Sequence, residues 1–149
     1  MAQSLQRPFV KNLIASATRT STVTTAALDF GIGSSYTVVF DVGTGTGTSP
    51  TLDFVIQSSL DGGTTWINLP LRTAQITTAA TTTMLVFRNG LGENEVALNQ
   101  ITAATGGTLA KNCNFDPKYM RIVATIGGTN PSYPTLSAWL YVMPQGALR

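Results

Sequence analysis

Hydrophobic and polar residues alternate along several stretches of this chain with the two-residue period of a β-strand. Between Tyr36 and Val42 every second residue is aromatic or aliphatic, and Leu52, Phe54 and Ile56 continue the pattern beyond a polar gap. The alternation predicts strands at 9–14, 22–28, 36–42, 52–57, 72–78, 82–88, 119–126 and 136–143, and a further strand that begins at residue 65. The segment 93–104 fits either a strand or a short helical turn.

Glycine and proline separate these stretches and predict the connections between them. Gly43–Pro50 has glycine at alternate positions and predicts a flexible connector, and Gly127–Pro134 predicts a loop. Only residues 79–81 connect the predicted strands 72–78 and 82–88, so these two strands are expected to pair. The strands on either side of Gly127–Pro134 are expected to pair antiparallel in the same way.

The most specific local motif is the hairpin that Leu52–Pro70 predicts. Its turn fits the pattern Ser-x-Asp-x-Gly-x-Thr-Trp, known as an Asp box, between Ser59 and Trp66. Asp61 is expected to accept hydrogen bonds from nearby backbone N–H groups, Gly63 to permit the turn, and Trp66 to pack over it. A single box of this kind favours a structural role over a sugar-binding one.

Seven to nine short strands and no clear helix predict an all-β protein. At 149 residues the chain is expected to be a single domain. The strand spacing favours an antiparallel β-sandwich of jelly-roll type, and the absence of a fixed repeat disfavours a propeller. We expect an extended N-terminal arm at 1–20 and the sandwich domain at 21–149.

Charged residues make up 11% of the chain, compared with about 25% in an average domain. Such a weakly charged surface favours a protein that is attached to copies of itself or to a partner. The net charge is only +2 and no lysine–arginine cluster is present, so nucleic acid is not expected as a partner. The longest apolar run, Ala138–Met143, is far too short for a membrane span, and the first residues do not have the pattern of a secretory signal.

Catalytic chemistry has little support in the sequence, and we expect no enzyme, cofactor or metal site. The chain contains no histidine, which excludes Ser-His-Asp triads, Cys-His pairs and histidine metal ligands. Cys113 lies between two asparagines and is expected to be an inert thiol. A pair of carboxylates could serve glycoside hydrolysis, but several of the seven acidic residues lie at strand edges or turns, where solvated or turn-forming roles are usual.

The two ends of the chain carry the candidate partner-binding residues. Arg7 and Lys11 precede the first acidic residue and flank Phe9, so an arm with slight positive charge could lie on an acidic partner. If the aliphatic residues of 136–143 face the core, Trp139 and Tyr141 face outward as a contact site. The alternatives are a solvated tail and an aromatic pair that is buried beneath a loop.

The C-terminal sequence from Tyr119 to Gly128 and then from Leu136 to Val142 resembles the ending of capsid cement (decoration) proteins of tailed bacteriophages. In that family an aromatic-hydrophobic-arginine strand, a loop rich in glycine and threonine and a Ser-Ala-aromatic-Leu strand close a jelly roll. The weak N-terminal arm, the aromatic strand at 36–42 and the Phe-Val-Ile-Gln strand are also similar. The Asp box and Trp66 have no counterpart in this pattern.

The resemblance implies a non-enzymatic viral structural protein that binds the outer capsid surface and bridges neighbouring major capsid proteins. It also implies a location on the virion after assembly in a host cytoplasm, and self-association as a dimer or trimer. The competing hypothesis is a tail-associated or carbohydrate-binding β-sandwich, which would need exposed aromatic and polar residues around Trp66 or Trp139.

Overall fold

A computed structural model of the chain describes residues 9–31, 33, 35–89, 108–113 and 115–143. These residues contain no helix and form a curled, half-barrel sheet that is antiparallel except for one pair of strands, as the all-β prediction requires. The strands are β1 (Phe9–Arg19), β2 (Val23–Thr24), β3 (Ser35–Val42), β4 (Thr46–Ser58), β5 (Ile67–Arg72), β6 (Thr81–Asn89), β7 (Thr108–Cys113) and β8 (Met120–Met143).

The long last strand, β8, organises the sheet because it takes part in both of its halves. Its first part pairs with β2 on one side and β4 on the other, and β5 continues from β4. Its second part lies between β1 and β3, and β6 and β7 continue from β3. We call these two halves the β4 half and the β3 half.

The continuity of β8 corrects the prediction that Gly127–Pro134 is a loop between two paired strands. These residues belong to the strand itself and pair with the beginning of β4, through a register that shifts at two places. Bulges and residues with positive φ let a strand bend without ending. Here Gly128, Asn130 and Thr135 have φ of 107°, 50° and 56°, so the strand turns from one half of the sheet into the other.

The predicted flexible connector Gly43–Pro50 is likewise wrong from Thr46 onward, because β4 begins there. Two glycines explain why a strand resembles a linker in sequence. A Cβ atom at Gly47 would lie 2.5 Å from the Asn130 carbonyl oxygen, and one at Gly128 would lie 2.6 Å from the Ser49 carbonyl oxygen. Glycine is therefore required for the close approach of the two backbones.

The strand prediction holds for β3 and β6 but fails at 72–78. Only Arg72 of that segment is in a strand, and β6 pairs with β3 and β7 instead. The residues after Arg72 follow the edge of β4, where the Ile76 N–H donates to the Leu52 carbonyl at 2.9 Å and the Leu52 N–H donates back at 2.8 Å. The predicted strand 22–28 shortens to β2, and the open segment 93–104 lies outside the described residues.

The N-terminal segment contains a longer strand than the sequence predicts. β1 runs for 11 residues along β8, and its bulge after Asn12 places both Leu13 and Ile14 in the core. The division into an arm at 1–20 and a domain at 21–149 stays a prediction, but Phe9–Arg19 belongs to the sheet.

The core lies on the concave side of the curled sheet, where the alternating residues of both halves meet. Tyr36 and Phe87 stack at 5.4 Å between ring centroids, and Phe115 contacts both rings edge-on. The alternation prediction is confirmed on this side, because Leu52, Phe54 and Ile56 are fully buried.

Candidate functional site

The second part of β8 presents its aromatic residues to solvent. Leu136, Ala138, Leu140 and Val142 are buried, so the intervening side chains point away from the core. Trp139 and Tyr141 are each 42% exposed, which agrees with the outward orientation predicted from the alternation. Their role in binding a partner stays a prediction.

Neighbouring strands extend this aromatic pair into a largely apolar surface, interrupted by the polar Asn12 and Thr37, because residues that pair across antiparallel strands project from the same face. Trp139 pairs with Asn12 of β1 and Val39 of β3, and Val39 pairs with Met84 of β6. These residues form the Trp139 row. In the neighbouring Tyr141 row, Tyr141 pairs with Val10 of β1 and Thr37 of β3, and Thr37 pairs with Val86 of β6. We call this surface the outer β3 face; its residues are Val10, Asn12, Thr37, Val39, Met84, Val86, Trp139 and Tyr141.

The exposure of these residues is high for apolar side chains on one sheet face. Val10 is 53% exposed and Met84 is 37% exposed, and Val39 and Val86 are half-buried between them. Contiguous apolar surface of this kind marks interaction sites in soluble proteins. Val10, Met84 and Val86 belong to the site although none was among the residues predicted for it; the alternation of β6 contained the signal for Met84 and Val86.

Charged residues lie at the two ends of the outer β3 face. Arg88 follows Phe87 on β6, beyond the Tyr141 row, and is exposed. Asp41 lies on β3 at the opposite end, where it is exposed and pairs with Thr82. The Thr82 hydroxyl donates to the Asp41 carboxylate at 2.9 Å, which fixes the position of this negative charge.

The structure separates the N-terminal candidates from the aromatic pair. Phe9 pairs with the inward-facing Val142, and its ring lies against Gly31, where an added Cβ atom would be 3.0 Å away. Lys11 donates from its ammonium group to the Asp29 carbonyl at 3.2 Å. Both residues therefore project from the side of β1 opposite to Val10, and Arg7 lies outside the described residues.

The Asp box forms the predicted turn. The Asp61 carboxylate accepts from the Ser59 hydroxyl at 2.7 Å and from the backbone N–H groups of Thr65 and Thr64 at 2.8 and 3.1 Å. The Ser59 hydrogen bond, followed by those from Thr65 and Thr64, lowers the pKa of Asp61 to about 2. Gly63 has φ of 95°, in agreement with its predicted role in the turn.

Trp66 packs over this turn and also joins the outer surface of the β4 half. Its indole N–H donates to the Gly63 carbonyl at 3.0 Å, and the Arg121 guanidinium lies 4.3 Å from its ring centroid. The Arg121 Nε–H donates to the side-chain oxygen Oε1 of Gln57 at 2.6 Å, and the side-chain NH₂ of Gln57 donates to Oδ1 of Asn68 at 2.7 Å. The aromatic ring of Trp66, in the turn before β5, thus lies next to a row of planar polar groups on β4, β5 and β8.

Each described carboxylate accepts a hydrogen bond from its own neighbourhood in the chain, from an adjacent strand or, for Asp53, from the segment after β5 that follows the edge of β4. The donors are Gly31 N–H for Asp29, Thr82 for Asp41, Gln75 for Asp53, Ser59 for Asp61 and Lys118 N–H for Asp116. These are the positions of turn-forming and surface carboxylates. Among the described residues, no cluster of three or more acidic, cysteine or histidine side chains could hold a metal ion.

No helix in the described part of the chain is long and apolar enough to cross a membrane. No protein-family model matches the chain, and comparisons with curated proteins and with solved structures find no significant similarity. The geometry of the outer β3 face is therefore the main basis for assigning a function.

Proposed function

We propose that this chain is a non-enzymatic structural protein of a virus, which binds the outside of an assembled capsid and stabilises it by bridging neighbouring major capsid proteins. The resemblance of its C-terminal strands to bacteriophage cement proteins supports the viral role. The observation that carries a structural role is the outer β3 face, on which Trp139, Tyr141 and Met84 are exposed.

A cement protein needs a rigid frame and surfaces that prefer a protein partner to water. The curled sheet supplies the frame, since its long strand β8 is hydrogen-bonded to four other strands. The low content of charged residues, 11%, reduces the desolvation cost of covering its surface. We propose further that the two halves close as a single-domain β-sandwich of jelly-roll type.

Capsid attachment in this proposal uses the N-terminal segment, which contains Arg7, Phe9 and Lys11. Phe9 is 40% exposed, and Lys11 is two residues further along β1, so an apolar and a positively charged group lie on the same side of the strand. An acidic patch on the capsid surface is the complementary partner. The protein is located on the virion, where repetition over many equivalent sites adds avidity, and it acts as a dimer or trimer.

Co-sedimentation with expanded empty capsids of the same virus tests the proposal. Purified protein should pellet with capsids at a fixed stoichiometry and should raise the temperature at which the capsids disassemble. Unexpanded procapsids provide the matched comparison. Protein that remains in the supernatant at saturating capsid concentration would contradict the proposed function.

A carbohydrate-binding module, either free-standing or associated with a phage tail, is the second candidate. The cluster of Trp66, Arg121, Gln57 and Asn68 favours it, because sugars bind to aromatic rings flanked by planar hydrogen-bonding groups. Arg121 already covers one side of the Trp66 ring, which leaves less of the ring for a sugar. Specific retention of the protein on a glycan array, lost in Trp66→Ala and kept in Trp139→Ala, would favour this candidate.

A further inference from the structure

We infer that the outer β3 face is the contact between two copies of this chain, packed face to face about a two-fold axis that crosses the strands between the Trp139 row and the Tyr141 row. The inference deepens the proposed self-association by naming the surface and its geometry. It concerns the purified protein alone, so it does not depend on whether a capsid is bound.

The apolar character of the face requires a cover that excludes water. Val10, Met84, Trp139 and Tyr141 are all more than one third exposed. They lie on β1, β6 and β8; β1 pairs directly with β8, and β3 lies between β8 and β6. Aromatic residues and methionine are enriched in the centres of protein interfaces. Burial of such side chains removes apolar surface from water and therefore favours association.

The dimensions of the face fit a small specific interface. Four strands spaced about 4.8 Å apart, with seven residues of about 3.3 Å each, cover about 19 Å by 23 Å. The accessible surface of the face is larger than this flat area, because side chains project from it. It therefore approaches the roughly 600 Å² per partner that the smallest specific interfaces bury. Aligned packing of two sheets at a separation of about 10 Å would bring the two rows into contact.

The arrangement of charge favours a second copy over an unrelated partner. The two-fold axis exchanges the ends of the strands, so the Arg88 end of one copy lies over the Thr82 end of the other. Asp41, which is held beside Thr82 by their hydrogen bond, then lies opposite the incoming guanidinium. Two Arg88–Asp41 contacts form in this way, one at each end of the interface.

The same operation matches the apolar residues in the middle of the face. Trp139 of one copy lies over Tyr141 of the other, and Met84 lies over Val86, so aromatic residues meet aromatic residues and aliphatic residues meet aliphatic ones. The net charge of +2 per chain adds little repulsion to the pairing of two copies. The operation also places Val10 over Asn12 and Val39 over Thr37, so the two polar residues of the face meet aliphatic ones. The face is therefore complementary to itself at its charged ends, at the aromatic pair and at Met84 and Val86.

Sedimentation velocity of the purified protein over a range of concentrations tests the inference. The wild-type chain should sediment as a dimer at micromolar concentration. Met84→Lys should raise the dissociation constant by about 10- to 100-fold, because it places two unpaired ammonium groups in the interface. Ile67→Lys is the matched control, since Ile67 is 46% exposed on β5 and lies outside the face.

Charge exchange at the ends of the face tests the orientation of the two copies. Arg88→Glu and Asp41→Lys should each weaken the dimer, because each places like charges opposite one another. An equimolar mixture of the two variants should restore dimers, since the mixed pair contains two opposite-charge contacts. Thermal unfolding of each variant separates loss of association from loss of folding.

A wild-type chain that remains monomeric at high concentration would overturn the inference, as would dimers that Met84→Lys leaves unchanged. If mixing the two charge variants restores no association, the two-fold arrangement is wrong. A monomer that still co-sediments with capsids would overturn only the inference, and a dimer that binds no capsid would contradict only the proposed function.

Discussion

Phe40 and Phe54 stack with 4.1 Å between their ring centroids and 21° between their ring planes, and both are fully buried. Phe40 belongs to β3 and Phe54 to β4, so the stacked pair joins the two halves of the sheet through the core. Apart from the shared strand β8, packing of this kind is what keeps the halves together, because β3 and β4 are not hydrogen-bonded neighbours.

Truncation of Phe54 should therefore be among the most destabilising substitutions in the chain. We expect Phe54→Ala to lower the free energy of unfolding by about 3–5 kcal/mol, because it removes buried ring surface and leaves a cavity. Chemical denaturation monitored by circular dichroism measures the effect. Leu60→Ala is the control, since Leu60 is 68% exposed and should change the unfolding midpoint very little.

The Asp box should give the hairpin a dependence on acidic pH. The pKa of Asp61 falls to about 2, so its ionised form stabilises the folded state fully above its ordinary pKa near 3.9. That contribution is lost as the pH falls through about 2. Wild-type protein should be more stable than Asp61→Ala at pH 7, and the difference should shrink between pH 4 and pH 2.

Carboxyl titration by NMR identifies the cause of this dependence. Ser59→Ala removes the hydrogen bond that lowers the pKa of Asp61 the most, so the pKa should rise towards its ordinary value. A pKa that stays near 2 in this variant would contradict the assignment of Ser59 as the main donor.

Tyr36 should make the protein sensitive to alkaline pH. Burial, together with the negative charge of Asp29, raises the pKa of its hydroxyl against the opposing effect of the Gly33 N–H. A raised pKa means that the folded state retains its proton, so this stability is complete below the ordinary pKa near 10 and is lost as the pH rises through the folded value.

Tyr36→Phe tests this sensitivity with minimal change in volume. The substitution removes the hydrogen bond to the Gly31 carbonyl at 2.7 Å and should cost about 1–2 kcal/mol at pH 7. Urea denaturation between pH 8 and pH 11 should show a shallower loss of stability in the variant. Tyr133, whose pKa is also raised by burial, should account for part of the slope that remains. If stability falls with pH equally steeply in the wild type and in Tyr36→Phe, Tyr36 is not the source of the alkaline sensitivity.

The N-terminal strand should be necessary for folding. Leu13 and Ile14 are 9% and 4% exposed and belong to the core, so a chain that begins at residue 15 loses both side chains and five of the seven residue pairs between β1 and β8. We expect it to lose cooperative thermal unfolding, whereas a chain that begins at residue 9 should keep it. Retention of the transition in the shorter chain would show that β1 is dispensable.

Capsid attachment should depend on the positive charge beside Phe9. Lys11→Glu should weaken co-sedimentation with capsids by about tenfold, because it reverses a charge at the proposed contact. Lys118→Glu makes the same change at an exposed position in the turn before β8 and should bind like the wild type. Equal binding by both variants would remove Lys11 from the contact.

The sequence alone predicted those features that depend on near neighbours in the chain. Alternation placed Leu52, Phe54 and Ile56 in the core and Trp139 and Tyr141 on the outside, because side chains of a strand project alternately to its two faces. The Asp box likewise specified its own turn, since Ser59, Asp61 and Thr65 make their hydrogen bonds within a few residues.

The tertiary structure decided which strands pair and therefore where the candidate site lies. Gly47 and Gly128 look like loop residues in the sequence, yet each permits a close approach between two strands that are distant in the chain. The outer β3 face combines Val10, Met84 and Trp139, which local alternation cannot bring together because their adjacency depends on long-range pairing. Local chemistry fixed the orientation of each side chain, and the continuous strand β8 assembled them into one surface.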